Sequence, residues 1–401
     1  MDNLNITLVE DNDALAHWVS VWQQQEAIGL DTEFIRTDTF YPVAGLIQVS
    51  SPGHEVLVDP LAVTDLSPLA RLLADIRVTK VLHACGEDLE VFQRLLGELP
   101  RPLFDTQIAA AFLGMGLSVG HQRLVETELN MTLPASETRS NWLQRPLSES
   151  QLLYAAADVH SLLPLYQRQS AQLQAKGLAH AAAEECDALI EEAQKGRDPA
   201  LYYLKMRGAW RLGRGKQQIL QALCVWREAQ ARARNVPRSR IASDALLIAI
   251  AQDQPTSVAE LSRCEGVTHR QLKQDAEALL TVVRETRNSA QGSAPLELIP
   301  RPLAKDRKDL YGRLRGQVQV ISERLGIPDS LLCKKALLEK LADTMALDRE
   351  VTELPVSIEG WRAPLLVEPL RRELNAYIQE LRLAGEPNQA LPDSEADSSE
   401  E

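Results

Sequence analysis

Cysteine is scarce in this chain. Its five residues (Cys85, Cys186, Cys224, Cys264, Cys333) are far apart, odd in number and form no C-x-x-C pair. That excludes a zinc ribbon and argues against a disulfide scaffold, so buried, reduced thiols in a cytoplasmic protein are the expectation. No apolar run approaches the ~20 residues that span a bilayer, and no membrane partner is expected. Lys and Arg are absent before Arg36, a pattern without a secretory or organelle-targeting leader. Gly213 is followed by Arg214, and no G-x-x-x-x-G-K-S/T occurs. A P-loop motor and a nucleotide cofactor are therefore not expected.

What is present reads as a multidomain globular protein. The 401 residues exceed one compact core, 45% of them are apolar and 25% are charged. The net charge of −13 by itself argues against nucleic acid, but the charges are unevenly placed. Residues 200–241 carry Lys205, Arg207, Arg211, Arg214, Lys216, Arg227, Arg232, Arg234, Arg238 and Arg240, with Glu228 the only acid. The chain after 386 carries only acids and reads as a disordered acidic tail, 386–401. A basic middle beside an acidic end is a polarised molecule.

Residues 1–170 read as α/β. Strand-like runs lie at 6–9, 28–34, 46–50, 55–58 and 79–84, and the second to fourth are joined by turns containing Pro42, Gly45, Pro52 and Gly53. An antiparallel meander followed by strand–helix alternation predicts a ribonuclease-H-like mixed sheet flanked by helices. Helical periodicity covers 67–76, 87–96, 106–113 and 122–128. Ser148 with Gln151 is a capping-box pattern that starts a helix carrying Tyr154 and Asp158, and Pro164 should kink or end it. Residues 171–199 read as a helical connector and the remainder as almost all helix. There Val236-Pro-Arg-Ser239 and Ile327-Pro-Asp-Ser330 head matching Ala-Leu-Leu frames 91 residues apart. Two copies of one small helical domain follow, 200–287 and 303–385, joined by a linker at 288–302.

The chemistry concentrates in three segments. Asp31 and Glu33 stand two apart near a strand end, so both leave one face, with Leu30, Thr32 and Phe34 turned to the other. Asp88 falls in the first turn of a helix, and Tyr154 and Asp158 are one turn apart with only alanines between them. Singly, each has a structural explanation: a solvated strand edge, an ordinary first-turn acid, a Tyr–Asp staple. Together they form one chemical unit. Asp31, Glu33, Asp88 and Asp158 suffice to hold two hard divalent cations, Mg²⁺ or Mn²⁺, with Tyr154 placed to orient water. Asp105 reads as a helix N-cap. Gln48 either faces the groove or satisfies a sheet amide.

In the basic window, Tyr202, Tyr203, Trp210 and Trp226 interleave with the cations, a composition that suits single-stranded nucleic acid. Arg207, Arg211, Arg214, Lys216, Arg232, Arg234, Arg238 and Arg240 are its candidate contacts. The alternative is that the tryptophans fill small cores, Trp226 above all, beneath a solvated arginine face.

Beyond these residues, Asp31-Thr-Glu-Phe34, Leu46-Ile-Gln48, His83-Ala-Cys-Gly-Glu-Asp-Leu-Glu-Val-Phe92, Phe104-Asp-Thr-Gln107, Arg139-Ser-Asn-Trp142 and Tyr154–Tyr166 resemble the ribonuclease D family. That family lies within the tyrosine subclass of the DEDD exonucleases. Trp226-Arg-Glu228, Asn235-Val-Pro237 and 245–251 resemble the helicase-and-RNase-D C-terminal (HRDC) domain. Gly86 departs from the serine common in relatives and Ala135 from their lysine; neither removes an acid. The resemblance implies an exonuclease domain with two HRDC-type domains that guide RNA. It implies Asp31, Glu33, Asp88 and Asp158 as metal ligands and Tyr154 as the catalytic tyrosine, while His160, away from the position where the histidine subclass keeps its general base, reads as a surface or helix-packing residue. The expected activity is a metal-dependent 3′→5′ exoribonuclease releasing 5′-mononucleotides, with tRNA precursor 3′ ends and other small structured RNAs as substrates, working as a monomer. The rivals are a DNA proofreading or repair exonuclease and a non-catalytic RNA-binding scaffold.

Overall fold

In the computed structural model, residues 4–289, 296–344 and 350–384 are described; the tail 386–401 and residues 290–295 of the linker lie outside them. Six strands, β1 (Ile6–Val9), β2 (Ala27–Ile35), β3 (Val43–Ser51), β4 (His54–Val58), β5 (Thr79–Leu82) and β6 (Leu103–Asp105), form one sheet in the order β1-β4-β3-β2-β5-β6. β2, β3 and β4 are the antiparallel meander the turn residues predict, while β1, β5 and β6 add parallel partners. The sheet is therefore mixed, as expected. Two elements escaped the sequence reading. The helix Asn12–Trp22 is capped by Asp11, which accepts from the Ala14 N–H at 2.8 Å. β6 has three residues, too few for any periodicity to register.

Gly45 corrects a turn assignment, because it lies within β3. A Cβ there would stand 2.5 Å from the Trp142 carbonyl oxygen, so glycine is needed for close approach of another segment, not for a turn. Gly29 does the same under the helix junction, where an added Cβ would meet Leu162 Cβ at 3.1 Å and the Val159 carbonyl at 3.2 Å. The Ser148 capping box forms and the helix it starts, Glu149–His160, packs on β3 and β4. The chain then restarts as Leu162–Ala175, with Pro164 in its first turn, where a missing N–H removes no intrahelical bond.

The segment read as a connector packs on the first domain. Its helix Ala179–Lys195 buries Cys186 and Ile190 in the core beneath the sheet. All five cysteines are buried and free.

The first three helices of the two copies correspond. Arg214–Arg234 ends at left-handed Asn235, followed by Arg238–Ile241 and Asp244–Asp253. Lys308–Leu325 ends at left-handed Gly326, followed by Asp329–Leu332 and Lys335–Thr344, the first two C-terminal boundaries 91 residues later. Part of the expected linker is not free chain: Leu296 and Ile299 are buried in the first helical core, and the Ile299 N–H donates to Gln217 Oε1 at 2.8 Å.

Both copies dock on the sheet domain. Phe40, on the loop leaving β2, is buried in the first helical core, and Asn235 Oδ1 accepts from the Phe40 and Tyr41 N–H groups at 3.1 and 3.2 Å. Burying such a side chain stabilises by roughly 1.5–3 kcal/mol. Trp361 of the second copy sets its ring 5.0 Å from Phe112 and donates Nε1–H to Glu185 at 2.9 Å.

Candidate active site

β2 is the centre of the site. Alternation sends Leu30 into the core and Asp31 and Glu33 to the opposite face, where the Glu149–His160 helix lies. A register shift between Glu33 and Phe34 interrupts the pairing with β3 and re-aims the strand end. Phe34, read from the sequence as turned into packing, consequently lines the cleft. Thr32, read the same way, instead makes a specific polar contact, its Oγ1–H donating to Asp88 Oδ1 at 2.5 Å.

Ligand oxygens of Asp31, Glu33 and Asp158 lie within 4.8 Å of one another. Asp88, third residue of the helix Gly86–Leu95, borders that trio in the same cleft of about 500 Å³. Tyr154 sits one turn before Asp158, its ring 6.2 Å from that of buried Trp142. The Asp158 carboxylate and the Thr138 hydroxyl lie beside its phenol. Ala155, Ala156 and Ala157 are buried, which lets this helix lie close on the sheet.

The electrostatics are one-sided. Among the described residues lining the cleft there is no Lys or Arg, while Glu87 adds a fifth acid. Burial, with the charges of Asp88, Asp158 and Glu33, holds the Asp31 carboxyl well above its ordinary range. Burial and the charges of Asp158 and Asp88 push Glu33 up to about 8. Asp88 is raised to about 7 by burial, against the opposing Thr32 hydrogen bond. The Tyr154 phenol is also raised, by burial and then Asp158 and Glu33, so it stays protonated at neutral pH. Buried and half-buried carboxylates with no Lys or Arg partner are an all-oxygen donor set that a hard divalent cation fits.

Several neighbours are structural. Asp105 caps its helix as read, accepting from Gln107 N–H at 2.8 Å, and also takes the Cys85 N–H at 2.9 Å, which fixes the start of the Asp88 helix. Arg145 clamps Asp59 from two nitrogens and holds the Trp142 and Gly45 carbonyls, tying that loop to the sheet. His160 contacts Glu55 at 2.7 Å, a packing role as expected. Gln48 is wholly buried opposite Asp31 and does not line the cleft.

His121 was missed. It lines the cleft with Nδ1 3.7 Å from Asp158 Oδ1. Nothing local in the sequence marks it, because the contact exists only when two separate helices meet.

The basic window divides. Arg232 and Arg238 both engage buried Glu228, Arg234 engages buried Asp275, and Arg240 engages Asp38. Arg207, Arg211 and Arg214 are exposed, Lys216 is half-buried, and the Arg211 guanidinium stacks on Trp210 at 4.9 Å. Trp226 packs against the first helical core.

Comparison with known proteins bears on these observations. A family model described as 3′-5′ exonuclease matches residues 6–174, and the HRDC domain model matches 216–283. Ribonuclease D of Pseudomonas paraeruginosa is 41% identical over 371 residues, 92% of this chain and 98% of that one. The chain belongs to the ribonuclease D family. Ribonuclease D of Escherichia coli is 35% identical over 94% of this chain and all of the relative. The crystal structure of the Escherichia coli protein, described as an exoribonuclease involved in structured RNA processing, matches with a TM-score of 0.81 over 93% of this chain. This ribonuclease D family member is a 3′–5′ exoribonuclease whose fold implies divalent-metal use. No described helix is long and apolar enough to cross a membrane.

Proposed function

We propose that Asp31, Glu33, Asp88 and Asp158 hold two divalent cations, Mg²⁺ or Mn²⁺, and that with Tyr154 they cut the 3′-terminal phosphodiester of RNA, releasing 5′-mononucleotides. The observation that carries this reading is the convergence of three carboxylates within 4.8 Å, bordered by a fourth, in a cleft lined by no described Lys or Arg. When bound, the cations supply positive charge to the attacking and leaving oxygens of an in-line displacement. The chain's own contribution is placement. Thr32 fixes Asp88, the helix turn aligns Asp158 with Tyr154, and the protonated phenol orients the incoming water by hydrogen bonding.

The domains in this reading are an exonuclease domain at 1–170, HRDC-type domains at 200–287 and 303–385, and joining segments at 171–199 and 288–302. Arg207, Arg211, Arg214 and Lys216 contact RNA phosphates; Arg232, Arg234, Arg238 and Arg240 contribute what their ion pairs leave exposed. The substrates are tRNA precursor 3′ ends and other small structured RNAs, and the enzyme works as a cytoplasmic monomer. The test is a time course on a 3′-extended tRNA, with Mg²⁺ and with chelator, beside a matched DNA oligonucleotide. A ladder of single-nucleotide steps, seen only with metal and favouring RNA, is expected. Metal-independent shortening, internal cleavage or preference for DNA would overturn the reading.

A further inference from the structure

Asp158 is approached from outside its own helix by one side chain that the cleavage reaction has not so far used. His121 begins the helix His121–Leu129 and directs Nδ1 to within 3.7 Å of Asp158 Oδ1. The ring is held on its other sides. Nε2 lies 2.8 Å from the hydroxyl of Ser161, a fully buried residue. The His83 ring tilts 37° against it with centroids 5.1 Å apart, and His83 Nδ1 is in turn 2.8 Å from Thr106 Oγ1. The Thr106 hydroxyl donates to the Leu82 carbonyl at 3.2 Å, so the support reaches back to β5.

These contacts select one tautomer. A neutral imidazole has one N–H and one lone pair. A lone pair on Nδ1 would face a carboxylate and be repelled, whereas a proton there is attracted. Ser161 can donate to Nε2, which leaves the proton on Nδ1. At 3.7 Å the contact is electrostatic, longer than a hydrogen bond, and the partly buried cleft screens it less than water does.

We propose that His121 is a positioning residue: held by Ser161 and His83, it presents Nδ1–H to the Asp158 carboxylate and orients that group for a divalent cation. This rests on the proposed ligand role of Asp158. Carboxylates and histidines around metals are commonly oriented by such outer contacts, whose removal weakens metal affinity by ~10–100-fold. A histidine that merely filled space would tolerate an apolar residue of similar bulk.

The test is calorimetric titration of Mn²⁺ into the metal-free full chain, without RNA, for wild type, His121→Leu, His121→Asn, Ser161→Ala and Asp158→Asn. His121→Leu should weaken Mn²⁺ binding by about tenfold or more. His121→Asn, whose amide N–H stands in for Nδ1–H, should stay near wild type, and Ser161→Ala should fall between them. Wild-type affinity in His121→Leu overturns the proposal, as does an Asn variant as weak as the Leu variant, which would assign the effect to packing. Should His121→Leu fail to fold, unchanged affinity in Ser161→Ala overturns it. Asp158→Asn binding Mn²⁺ like wild type would instead overturn the ligand assignment beneath it.

Discussion

The cleft and the first helical domain each collect charge of one sign, and the fold treats the two collections in opposite ways. In the cleft, Asp31, Glu33, Asp88 and Asp158 are brought together with no described Lys or Arg among the lining residues. In the helical domain, five arginines of the basic window meet carboxylates: Arg227 with Asp244, Arg232 and Arg238 with Glu228, Arg234 with Asp275, Arg240 with Asp38. Asp31, Glu33 and Asp88 are left with raised pKa values; those five arginines are neutralised in place. Folding alone gains nothing from unneutralised buried acids, so their persistence points to a positive ligand. The arginine clusters, by contrast, hold helices and domains together.

That contrast breaks most severely at the acids themselves. Asp158→Asn removes ligand charge without removing volume. It should lower single-turnover RNA cleavage by about 10³-fold, since cation stabilisation of the reacting oxygens is worth several kcal/mol. RNA binding, measured by anisotropy, should remain. Tyr154→Phe keeps the ring against Trp142 but loses the hydroxyl, and a drop of about 10²-fold in turnover at unchanged RNA affinity is expected.

Arg234→Ala tests the other side. It leaves Asp275 buried and unpaired, so chemical denaturation should show a loss of ~1–3 kcal/mol with the chemistry of the cleft intact. Glu33 carries a pH-dependent effect of at most about 5 kcal/mol, spread across several pH units. Its carboxyl is pushed up to about 8, so between about pH 4.5 and that value the folded metal-free chain keeps a proton the unfolded chain has lost. Stability in chelator should therefore fall as pH rises through this window, and Glu33→Gln should flatten the slope of Tm against pH. Because the ligands must lose protons, added Mn²⁺ should raise Tm more at the alkaline end. The smallest expected change belongs to exposed Arg211. Arg211→Ala should leave Tm unmoved and make the salt dependence of single-stranded RNA binding shallower by about 0.7 in log–log slope.

Much of this was legible along the chain, for local reasons. Asp31 and Glu33 share a face because strand side chains alternate, Tyr154 and Asp158 stack because a helix turns in just under four residues, and the Ser148 capping box needs only Ser148 and Gln151. The helical repeat showed through its prolines, since Pro237 and Pro328 each precede a short helix after a left-handed cap. What escaped was non-local. β6 exists because β5 offers it an edge, and Phe34 meets the cleft because of a register shift with β3. Gly45 reads as a turn residue until Trp142 is seen against it. Arg232, Arg234 and Arg238 look equivalent to Arg211 until buried Glu228 and Asp275 appear beside them.

Residue order alone determined on which kind of element each candidate acid and the Tyr154 phenol stand, and on which side of it, because backbone periodicity sets those relations within a few positions. Only tertiary structure decided which groups meet. The separation of Asp158 from Asp31, the approach of His121, and the pairing of each arginine depend on sheet order and helix docking. Those are outcomes of packing the whole core, and no spacing along the chain encodes them.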